Sequence, residues 1–483
     1  MKSILLAGVA LLAVSFAASP AIADLSVSDR ALRITEVDLA YSGGLDLRME
    51  RIYRSDSSRS GLFGLGWGSR YETRLTVEAD GSIVVHECGC GPAVTFRPLQ
   101  GQPGLWEGRS CEHQQIEQTS GGFLRRLGVG KTETFSMDGH LLRTTDSDGN
   151  WIAISYENGR ISAIDDNYGR RMAFVYGPDG RLGQVEGEGG RKAHYRFDQD
   201  GRLIGVTDSS GGEHRYVYDE SGLLAAEDSP DGRKMAATYE SGHLTTLNEN
   251  GGMRRFGGDE GDGWRELWEA AEDSEGHRLL ITHRVQLYRS DISGHSQVWR
   301  ELFRRDGLHL DTEYNSLGLP AVIRDGKGRS AGFRYDAMGR LLHKDTSDET
   351  IDIRYDSKVG KVSRTERRSG GTLAWSDFAY DSRGNLITAV NSEGRKVSLT
   401  YDEHGRIGGI TERDHRLAFT YNRESRPTTI TLAGIGAIRV DYDENGEIAR
   451  VESTSGPAMA LKVTSIFQRL LALVHPADVK IGL

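Results

Sequence analysis

Two kinds of side-chain pattern in this sequence could support catalysis, and the first is a possible nucleophile. Residues Gly328-Arg-Ser330-Ala-Gly332 match the G-x-S-x-G pattern that surrounds the serine of many hydrolases. That motif needs a helix after the serine, whereas Phe333-Arg-Tyr335 predicts that a strand continues. We therefore expect no catalytic serine at this position.

The second pattern is a series of acidic turns. Asp146-Ser-Asp148-Gly149 and Asp198-Gln-Asp200-Gly201 resemble the start of a calcium loop but lack its twelve-residue ligand set. Asp336, Asp381 and Asp402 each precede a glycine by three residues, which favours turn capping over acid–base catalysis. No zinc-protease, Walker or dinucleotide motif is present. The sequence predicts no metal site, no cofactor and no enzyme activity.

The first 23 residues have the parts of a secretory signal peptide. Lys2 supplies the positive charge, residues 4–18 are apolar, and Ala21-Ile22-Ala23 is a small-x-small cleavage site. The alternative, a membrane anchor, is disfavoured because the apolar run is short for a span. We expect cleavage before Asp24 and export to the periplasm or cell surface, with no later transmembrane span.

Three cysteines, Cys88, Cys90 and Cys111, lie in the mature N-terminal region. An exported compartment permits disulfides, so Cys111 can pair with Cys88 or Cys90 and leave one thiol free. A metal site at Cys88-x-Cys90 is less favoured, because no fourth ligand is evident. We expect a structural disulfide of open connectivity.

Composition restricts the fold. The 483 residues include 61 Gly but only 10 Pro, which excludes a collagen-like or Pro-rich disordered chain and disfavours a helical bundle. The net charge of −10 argues against nonspecific nucleic-acid binding. What remains is a fold with very many turns.

The glycines belong to a repeat. An aromatic residue recurs, mostly every 20 or 21 residues, with an apolar residue two positions before it and a turn glycine soon after it. Apolar residues at every second position predict a strand with one apolar face, and the glycine predicts a turn after it. One repeat is therefore predicted to be one β-hairpin. The i, i+3 apolar spacing of Leu203/Val206 and Ile407/Ile410 predicts a bulge or a very short strand in the returning half. The aromatic positions are Tyr156, Tyr176, Phe197, Tyr218, Tyr239, Tyr314, Tyr335, Tyr355, Tyr380, Tyr401, Tyr421 and Tyr442.

The clearest copies carry a family resemblance. They are Tyr335-Asp336-Ala-Met-Gly339-Arg340 and Tyr401-Asp402-Glu-His-Gly405-Arg406. This pattern resembles the RHS (YD) repeat of bacterial polymorphic-toxin and teneurin-like proteins over residues 146–452. In addition, Arg51-Ile-Tyr53-Arg-Ser with Gly64-Leu-Gly66-Trp67 resembles the segment that opens many RHS proteins.

The resemblance implies a spiralling β-sheet that can wrap into a hollow shell, which in large members encloses a C-terminal toxin. Those members end the shell with an autoproteolytic core segment. Only 37 residues follow Gly446, and none matches that core. We therefore expect a short form without an autoprotease or toxin domain, and an open curved sheet rather than a sealed shell.

The predicted fold is all-β: a long antiparallel sheet of repeated hairpins curving into an open spiral or partial shell, with a short C-terminal helix. The predicted segments are a signal peptide (1–23), an N-terminal β domain (24–145), a first repeat block (146–252), an insertion or degenerate repeats (253–310), a second repeat block (311–452) and an amphipathic helical tail (453–483).

Residues 253–310 are either degenerate repeats that continue the sheet or an insertion that forms a binding face. Trp264 and Trp299 each begin a Trp-Arg-Glu-Leu run and are the candidate binding residues. Residues 264–272 are compatible with a short helix, and Leu279 to Tyr288 predicts a strand.

Three functions follow from these features. The favoured one is an exported, non-catalytic scaffold for protein interaction or carriage, at the bacterial cell envelope or in toxin systems. The alternatives are a cell-wall glycan-binding module, because curved sheets lined by Tyr and Trp can stack sugars, and an envelope hydrolase with an unrecognised site. The expected partner is a protein or a glycan, not nucleic acid.

The tail generates a prediction. Apolar residues at helical spacing, among them Phe467, Leu470 and Leu471, give residues 458–474 one apolar face. If this helix covers the sheet, deleting residues 458–483 lowers the melting temperature or causes aggregation, because unpaired strand edges and apolar surface become exposed. Unchanged stability together with loss of a co-purifying partner contradicts that role and favours a partner-docking helix.

Overall fold

A computed structural model describes residues 24–454, apart from short gaps. The gaps are residues 42–44, 92, 100, 110–112, 128–130, 147–148, 273–276, 291–295, 337–338, 404, 414, 423–425 and 443–447. Strands make up 67% of the described residues, which also contain two short 3-10 turns, Arg70–Glu72 and Glu188–Gly190, but no α-helix. None of them therefore forms a helix long enough to span a membrane. The predicted tail helix lies outside the described residues.

The N-terminal region forms six strands. They are β1 (Asp24–Ser28), β2 (Ala31–Tyr41), β3 (Leu47–Arg54), β4 (Ser60–Gly61), β5 (Gly64–Leu65) and β6 (Trp67–Gly68). Strands β1, β2, β3 and β6 make a four-stranded antiparallel sheet, hereafter the N-terminal sheet, and β4 and β5 make a small separate hairpin.

The remaining strands form one long sheet in chain order. Its first part consists of β7 (Arg74–Val77), β8 (Ile83–His86), β9 (Ala93–Pro98), β10 (Leu105–Arg109), β11 (His113–Thr119), β12 (Gly122–Leu127), β13 (Lys131–Phe135) and β14 (Leu141–Thr145). The first repeat block adds β15 (Trp151–Glu157), β16 (Arg160–Asp166), β17 (Arg171–Tyr176), β18 (Leu182–Glu186), β19 (Lys192–Phe197), β20 (Leu203–Thr207), β21 (Glu213–Tyr218), β22 (Leu224–Asp228), β23 (Lys234–Glu240) and β24 (His243–Glu249).

Four longer strands and one shorter strand come next, and the second repeat block follows them. The long strands are β25 (Gly252–Gly261), β26 (Trp264–Glu272), β27 (Arg278–Ser290) and β28 (Ser296–Arg305), and the shorter strand is β29 (Leu308–Tyr314). The second block is β30 (Pro320–Asp325), β31 (Ser330–Tyr335), β32 (Leu341–Thr346), β33 (Glu349–Tyr355), β34 (Val362–Ser369), β35 (Thr372–Tyr380), β36 (Leu386–Asn391), β37 (Lys396–Tyr401), β38 (Ile407–Glu412), β39 (His415–Tyr421), β40 (Pro427–Leu432), β41 (Gly436–Tyr442) and β42 (Ile448–Ser453).

The long sheet has 36 strands, each antiparallel to the next, and it is open. Within the described strands, no ladder joins β42 to β7. Its beginning curls back on itself, because Arg74 on β7 makes a single bridge to His140, the residue before β14. The predicted all-β fold of consecutive hairpins is confirmed.

Two local predictions had different outcomes. The bulge is confirmed, because the register shifts at Arg196/Phe197 in one repeat and at Thr400/Tyr401 in another. The short helix at residues 264–272 is wrong. This segment is strand β26, which pairs along its length with the glycine-containing strand β25, so sheet pairing overrides a local pattern that also suits a helix.

The repeat signature builds both the turn and the contact to the next repeat. Asp402 accepts hydrogen bonds from the backbone N–H of Arg406 at 2.9 Å and from its Nε at 2.7 Å. Between them Gly405 has φ of 80°, a conformation that glycine adopts without strain. The Arg406 guanidinium then stacks on the Tyr421 ring, 4.8 Å from its centroid.

The tyrosine of each repeat is hydrogen-bonded to a backbone carbonyl earlier in the chain. The Tyr421 hydroxyl donates to the backbone carbonyl of Ile407 at 2.8 Å, and the Tyr401 hydroxyl donates to that of Leu386 at 2.9 Å. The same contact recurs in both blocks. Its donors and acceptors include Tyr156 to Leu141, Tyr176 to Ile161, Tyr218 to Leu203, Tyr239 to Leu224, Tyr335 to Pro320, Tyr355 to Leu341, Tyr380 to Val362 and Tyr442 to Pro427.

Buried apolar side chains form one large cluster and two smaller ones. The large cluster joins the N-terminal sheet to one face of strands β7–β25, which we call the inner face. The second block has its own cluster on β35–β41, and a small one lies on β30 and β31. The N-terminal sheet and the first repeat block therefore share one core.

The backward tyrosine contact generates a stability prediction. Tyr421→Phe keeps the ring but removes the hydroxyl, so we expect the free energy of unfolding to fall by about 1 kcal/mol, the usual net value of one hydrogen bond. Denaturant unfolding measures it, with Ala418→Ser on an exposed position of the same strand as control. Equal stability of Tyr421→Phe and wild type would show that the hydroxyl contributes nothing.

Candidate functional site

The junction between the N-terminal sheet and the first repeat block is built around a buried ion pair. Arg51 on β3 and Asp38 on β2 are both fully buried, and the Arg51 Nε lies 2.7 Å from the Asp38 Oδ2. Two tyrosines that lie two positions before a repeat aromatic complete the site. Arg51 Nη1 donates to the Tyr216 hydroxyl at 2.6 Å, and the Tyr195 hydroxyl donates to Asp38 at 2.9 Å. A paired and hydrogen-bonded charge of this kind fixes how the two sheets meet.

Two aromatic contacts extend this junction. The Trp67 indole N–H donates to the Tyr218 hydroxyl at 2.9 Å, and the backbone N–H of Leu224 donates to the Tyr53 hydroxyl at 2.9 Å. Burial raises the pKa of Tyr53 to about 12, so this phenol stays protonated. Both Tyr53 and Trp67 belong to the N-terminal residues singled out by the family resemblance.

A cavity of about 580 Å³ lies beside this junction. The β4–β5 hairpin forms one wall, and Tyr156, Tyr176 and Phe197 of three successive repeats form another. Four arginines line it, namely Arg59, Arg74, Arg160 and Arg181, with Glu72 among them. The cavity is therefore suited to an anionic or polar group.

Glu72 is the titratable group of this cavity with the most altered acidity. Its carboxylate accepts hydrogen bonds from the backbone N–H groups of Leu62 at 2.7 Å and Ser69 at 2.8 Å. Desolvation outweighs these contacts and raises the pKa of Glu72 to about 8. Because both oxygens hold the loop in place, Glu72 has a structural function here.

A second buried polar cluster lies between the same two sheets. Glu36 on β2, His214 on β21 and Glu227 on β22 each present a ligand atom, and these atoms lie within 4.8 Å of one another. Arg233 forms ion pairs with Glu36 and, at 3.5 Å, with Glu227. Of the described residues, this group alone brings together three His, Cys, Asp or Glu side chains with metal-compatible spacing.

The two tryptophans predicted to bind ligand lie side by side across the long strands, on β26 and β28. Trp264 on β26 pairs with Leu287 on β27, and Leu287 pairs with Arg300 on β28. Trp299 precedes Arg300 at a bulge, so a single strand separates it from Trp264. The Trp264 side chain is 39% exposed. Their role in binding stays a prediction.

The other predicted positions have mixed outcomes. Cys88 and Cys90 are free thiols, while their expected partner Cys111 lies outside the described residues, so the disulfide stays a prediction. Burial raises the pKa of Cys88 to about 11 and that of Cys90 to about 12.

The predicted docking residues of the tail, Phe467, Leu470 and Leu471, also lie outside the described residues. Ser330 opens strand β31.

Sequence reasoning missed the residues that hold the two sheets together. Arg51 and Tyr216 are 165 positions apart, and Glu36 and Arg233 are 197 apart. No spacing rule links such positions. The only signal was that Arg51 and Trp67 fall in the N-terminal segment that carries the family resemblance.

Comparisons with family models give three matches. Residues 31–96 match a domain of unknown function, DUF6531. Residues 197–234 match the RHS repeat, and residues 274–476 match the teneurin YD-shell.

Three curated relatives are similar to the chain, and two of them are named as toxins. The chain is 23% identical over 91% of its length to a probable deoxyribonuclease RhsB of Dickeya dadantii, of which it covers 27%. It is 28% identical over 30% of its length to double-stranded DNA deaminase toxin A of Burkholderia cenocepacia, covering 11% of that protein. It is 26% identical over 44% of its length to toxin protein Tse5 of Pseudomonas aeruginosa, covering 14%. The chain thus spans about a quarter or less of these relatives.

Two solved structures are also similar. The chain aligns over 92% of its length, at 12% identity and a TM-score of 0.43, with the crystal structure of TcdB2–TccC3–TEV, of which it covers 29%. It aligns over 87% of its length, at 12% identity and a TM-score of 0.41, with the Photorhabdus luminescens Tc holotoxin pore, of which it covers 29%.

The buried ion pair generates a prediction. Arg51→Met leaves the Asp38 carboxylate buried without its cation, so we expect the free energy of unfolding to fall by about 3–5 kcal/mol. Arg48→Met on the same strand is the matched control, because Arg48 is partly exposed and pairs with Glu50 at 3.3 Å. That change should cost about 0–1 kcal/mol. Chemical denaturation measures both, and equal losses would refute the importance of the Arg51 pair.

Proposed function

The chain is an RHS/YD-repeat protein, and from that premise we propose that it is an exported, non-catalytic scaffold that holds or carries a protein partner at the cell envelope or in a toxin system. The observation that carries the proposal is the seating of the N-terminal sheet on the inner face of the first repeat block. Tyrosines on the repeat strands there bind a separate β element through buried hydroxyls, as Tyr216 and Tyr195 bind Arg51 and Asp38.

The chemistry of the repeats supports a non-catalytic role. The signature carboxylates are engaged in turns, where Asp336 accepts hydrogen bonds from the Arg340 backbone and side chain as Asp402 does from Arg406. The names of the curated relatives include a deoxyribonuclease and a DNA deaminase, and the chain covers at most 27% of their length. We assign neither activity to this chain. The signal-peptide pattern of residues 1–23 supports export.

The long strands provide a surface for the partner. Strands β25–β28 have 9 to 13 residues, against 5 to 9 in the two repeat blocks. Several large apolar side chains are exposed in this region, with Leu279 at 58% and Leu280 at 59%. Exposed apolar side chains concentrated in one region are typical of protein interaction sites.

One observation favours glycan binding as the second candidate. The Trp264 ring lies over Gly261, with its Nε1 2.3 Å from where a Cβ of that residue would be. Trp264, Tyr288, Arg265 and Glu260 line a shallow cleft of about 480 Å³. An exposed aromatic face with charged hydrogen-bonding groups beside it is suited to sugar stacking.

The proposal is tested by crosslinking in cells that produce the full chain with its native N-terminus. We expect a crosslinked protein partner outside the cytoplasm. Leu279→Lys combined with Leu280→Lys should reduce its capture by about tenfold or more, as expected when an interface centre is disrupted. Val217→Lys is the matched control, because Val217 is 59% exposed on the first repeat block, and capture should persist.

Three results would overturn this function. The glycan-binding module is favoured if the chain sediments with purified peptidoglycan, if Trp264→Ala abolishes this sedimentation, and if no protein is crosslinked. Hydrolysis of nucleic acid or peptidoglycan by the purified full chain contradicts a non-catalytic role. Accumulation of the unprocessed chain in the cytoplasm contradicts export.

A further inference from the structure

We propose that Glu36, His214 and Glu227 bind a divalent zinc ion that ties the N-terminal sheet to the first repeat block. Two carboxylates and an imidazole form a ligand set that suits zinc, and a hard ion such as magnesium or calcium would favour oxygen ligands throughout. The three side chains come from strands of two different sheets, so a bound ion crosslinks them. None of its three ligands belongs to the Arg51–Asp38 pair, although Arg51 acts electrostatically on Glu36.

Burial is the first argument for a metal site. Glu36 and His214 are each 4% exposed, and Glu227 is 1% exposed. Acidic residues are rarely placed so deep unless they are paired or coordinate a metal. Three such side chains converging on one point are therefore unlike the solvated carboxylates of the repeat turns.

The second, independent argument is that Glu227 lacks hydrogen bonds. Neither of its carboxylate oxygens accepts one from any described residue, although the side chain is fully buried. His214 Nδ1 is 3.7 Å from the Glu227 Oε1, and Arg233 Nη2 is 3.5 Å from its Oε2. Both separations are too long for hydrogen bonds. A desolvated carboxylate in this state is costly, and a bound cation removes that cost.

The charge balance points the same way. Three carboxylates, those of Glu36, Glu227 and Asp208, lie around His214 and face one guanidinium, that of Arg233. Arg51 also acts on Glu36, but it is paired with Asp38. A bound dication would offset this excess of negative charge.

The geometry assigns separate functions to the surrounding groups. His214 Nδ1 would ligate: it lies 3.7 Å from Glu227 and 3.3 Å from the Ser229 Oγ, whose contact it would give up to the ion. Nε2 lies 4.0 Å from Asp208, and a shortening of this separation on binding would let the carboxylate orient the histidine. Arg233 holds Glu36. Ligands of one zinc at about 2.0–2.2 Å lie roughly 3.3–3.5 Å apart. The present atoms lie within 4.8 Å, so the three side chains must move closer together to bind the ion.

The test uses the full purified chain, stripped with EDTA and titrated with ZnCl2. We expect one zinc per chain by calorimetry and a rise in the melting temperature on binding. Glu227→Gln should weaken zinc binding by about 100-fold or more, and Asp208→Asn by about 10–100-fold, the usual loss for a group that only orients a ligand. Glu213→Gln, exposed beside His214, should bind like wild type.

Thermal unfolding separates a metal ligand from a purely structural ion pair. Glu227→Gln removes a buried charge at constant shape, so without zinc it should melt at or above the wild-type temperature. With saturating zinc the order should reverse. If Glu227 serves only to pair with Arg233, the variant melts below wild type under both conditions, and the proposal is wrong.

Three further results would overturn the site. The first is no stoichiometric zinc binding, and the second is wild-type affinity in Glu227→Gln. The third is a pattern in which the double variant Cys88→Ser, Cys90→Ser no longer binds zinc while Glu227→Gln still does. That pattern would place the ion on the thiols. Cobalt substitution distinguishes the last case by its spectrum, because thiolate ligands give intense charge-transfer bands that nitrogen and oxygen ligands lack.

Discussion

The contact on which the rest of this molecule depends is the hydrogen bond from a repeat tyrosine to a backbone carbonyl 14 to 18 residues earlier. A single hairpin in water is at best marginally stable. The tyrosine ties its strand to the start of the preceding return strand, and the turn arginine stacks forward on the next tyrosine, as Arg340 does on Tyr355. Each repeat is therefore fixed from both sides, and stability accumulates through neighbouring units.

The same side chains also attach the N-terminal sheet. The Tyr218 hydroxyl donates to Leu203 within the repeats and accepts from Trp67 across the junction, so one phenol serves both contacts. The aromatic residues two positions earlier, Tyr195 and Tyr216, lie on the same inner face and bind the Arg51–Asp38 pair. The N-terminal sheet is thus attached by aromatic residues of ordinary repeats. The attachment requires only that these residues lie on the inner face.

Much of the fold could be predicted from sequence because its signals are local. The spacing of the tyrosines, the glycine four positions after Tyr401 and the Ile407/Ile410 pair all report on neighbouring strands, and the hairpins and bulges are confirmed. The helix at residues 264–272 was wrong because nine residues with mixed polar and apolar character suit either structure, and the partner strand decides. The polar junction and the Glu36 cluster could not be predicted, since each joins residues of the N-terminal sheet to repeat residues more than 100 positions later, and no motif links them.

The junction also sets the order in which the chain can fold. Along the long sheet every strand pairs with the strand next in sequence, so most contacts have low contact order and can form as the chain is synthesised. The N-terminal sheet is made first, yet its partners Tyr216, Leu224 and Arg233 come 165, 171 and 197 residues after the groups they bind. Its apolar face therefore stays exposed to solvent until the repeats of the first block have been synthesised. The repeats can fold in order from the N-terminal side, whereas the packing of the N-terminal sheet against them comes later.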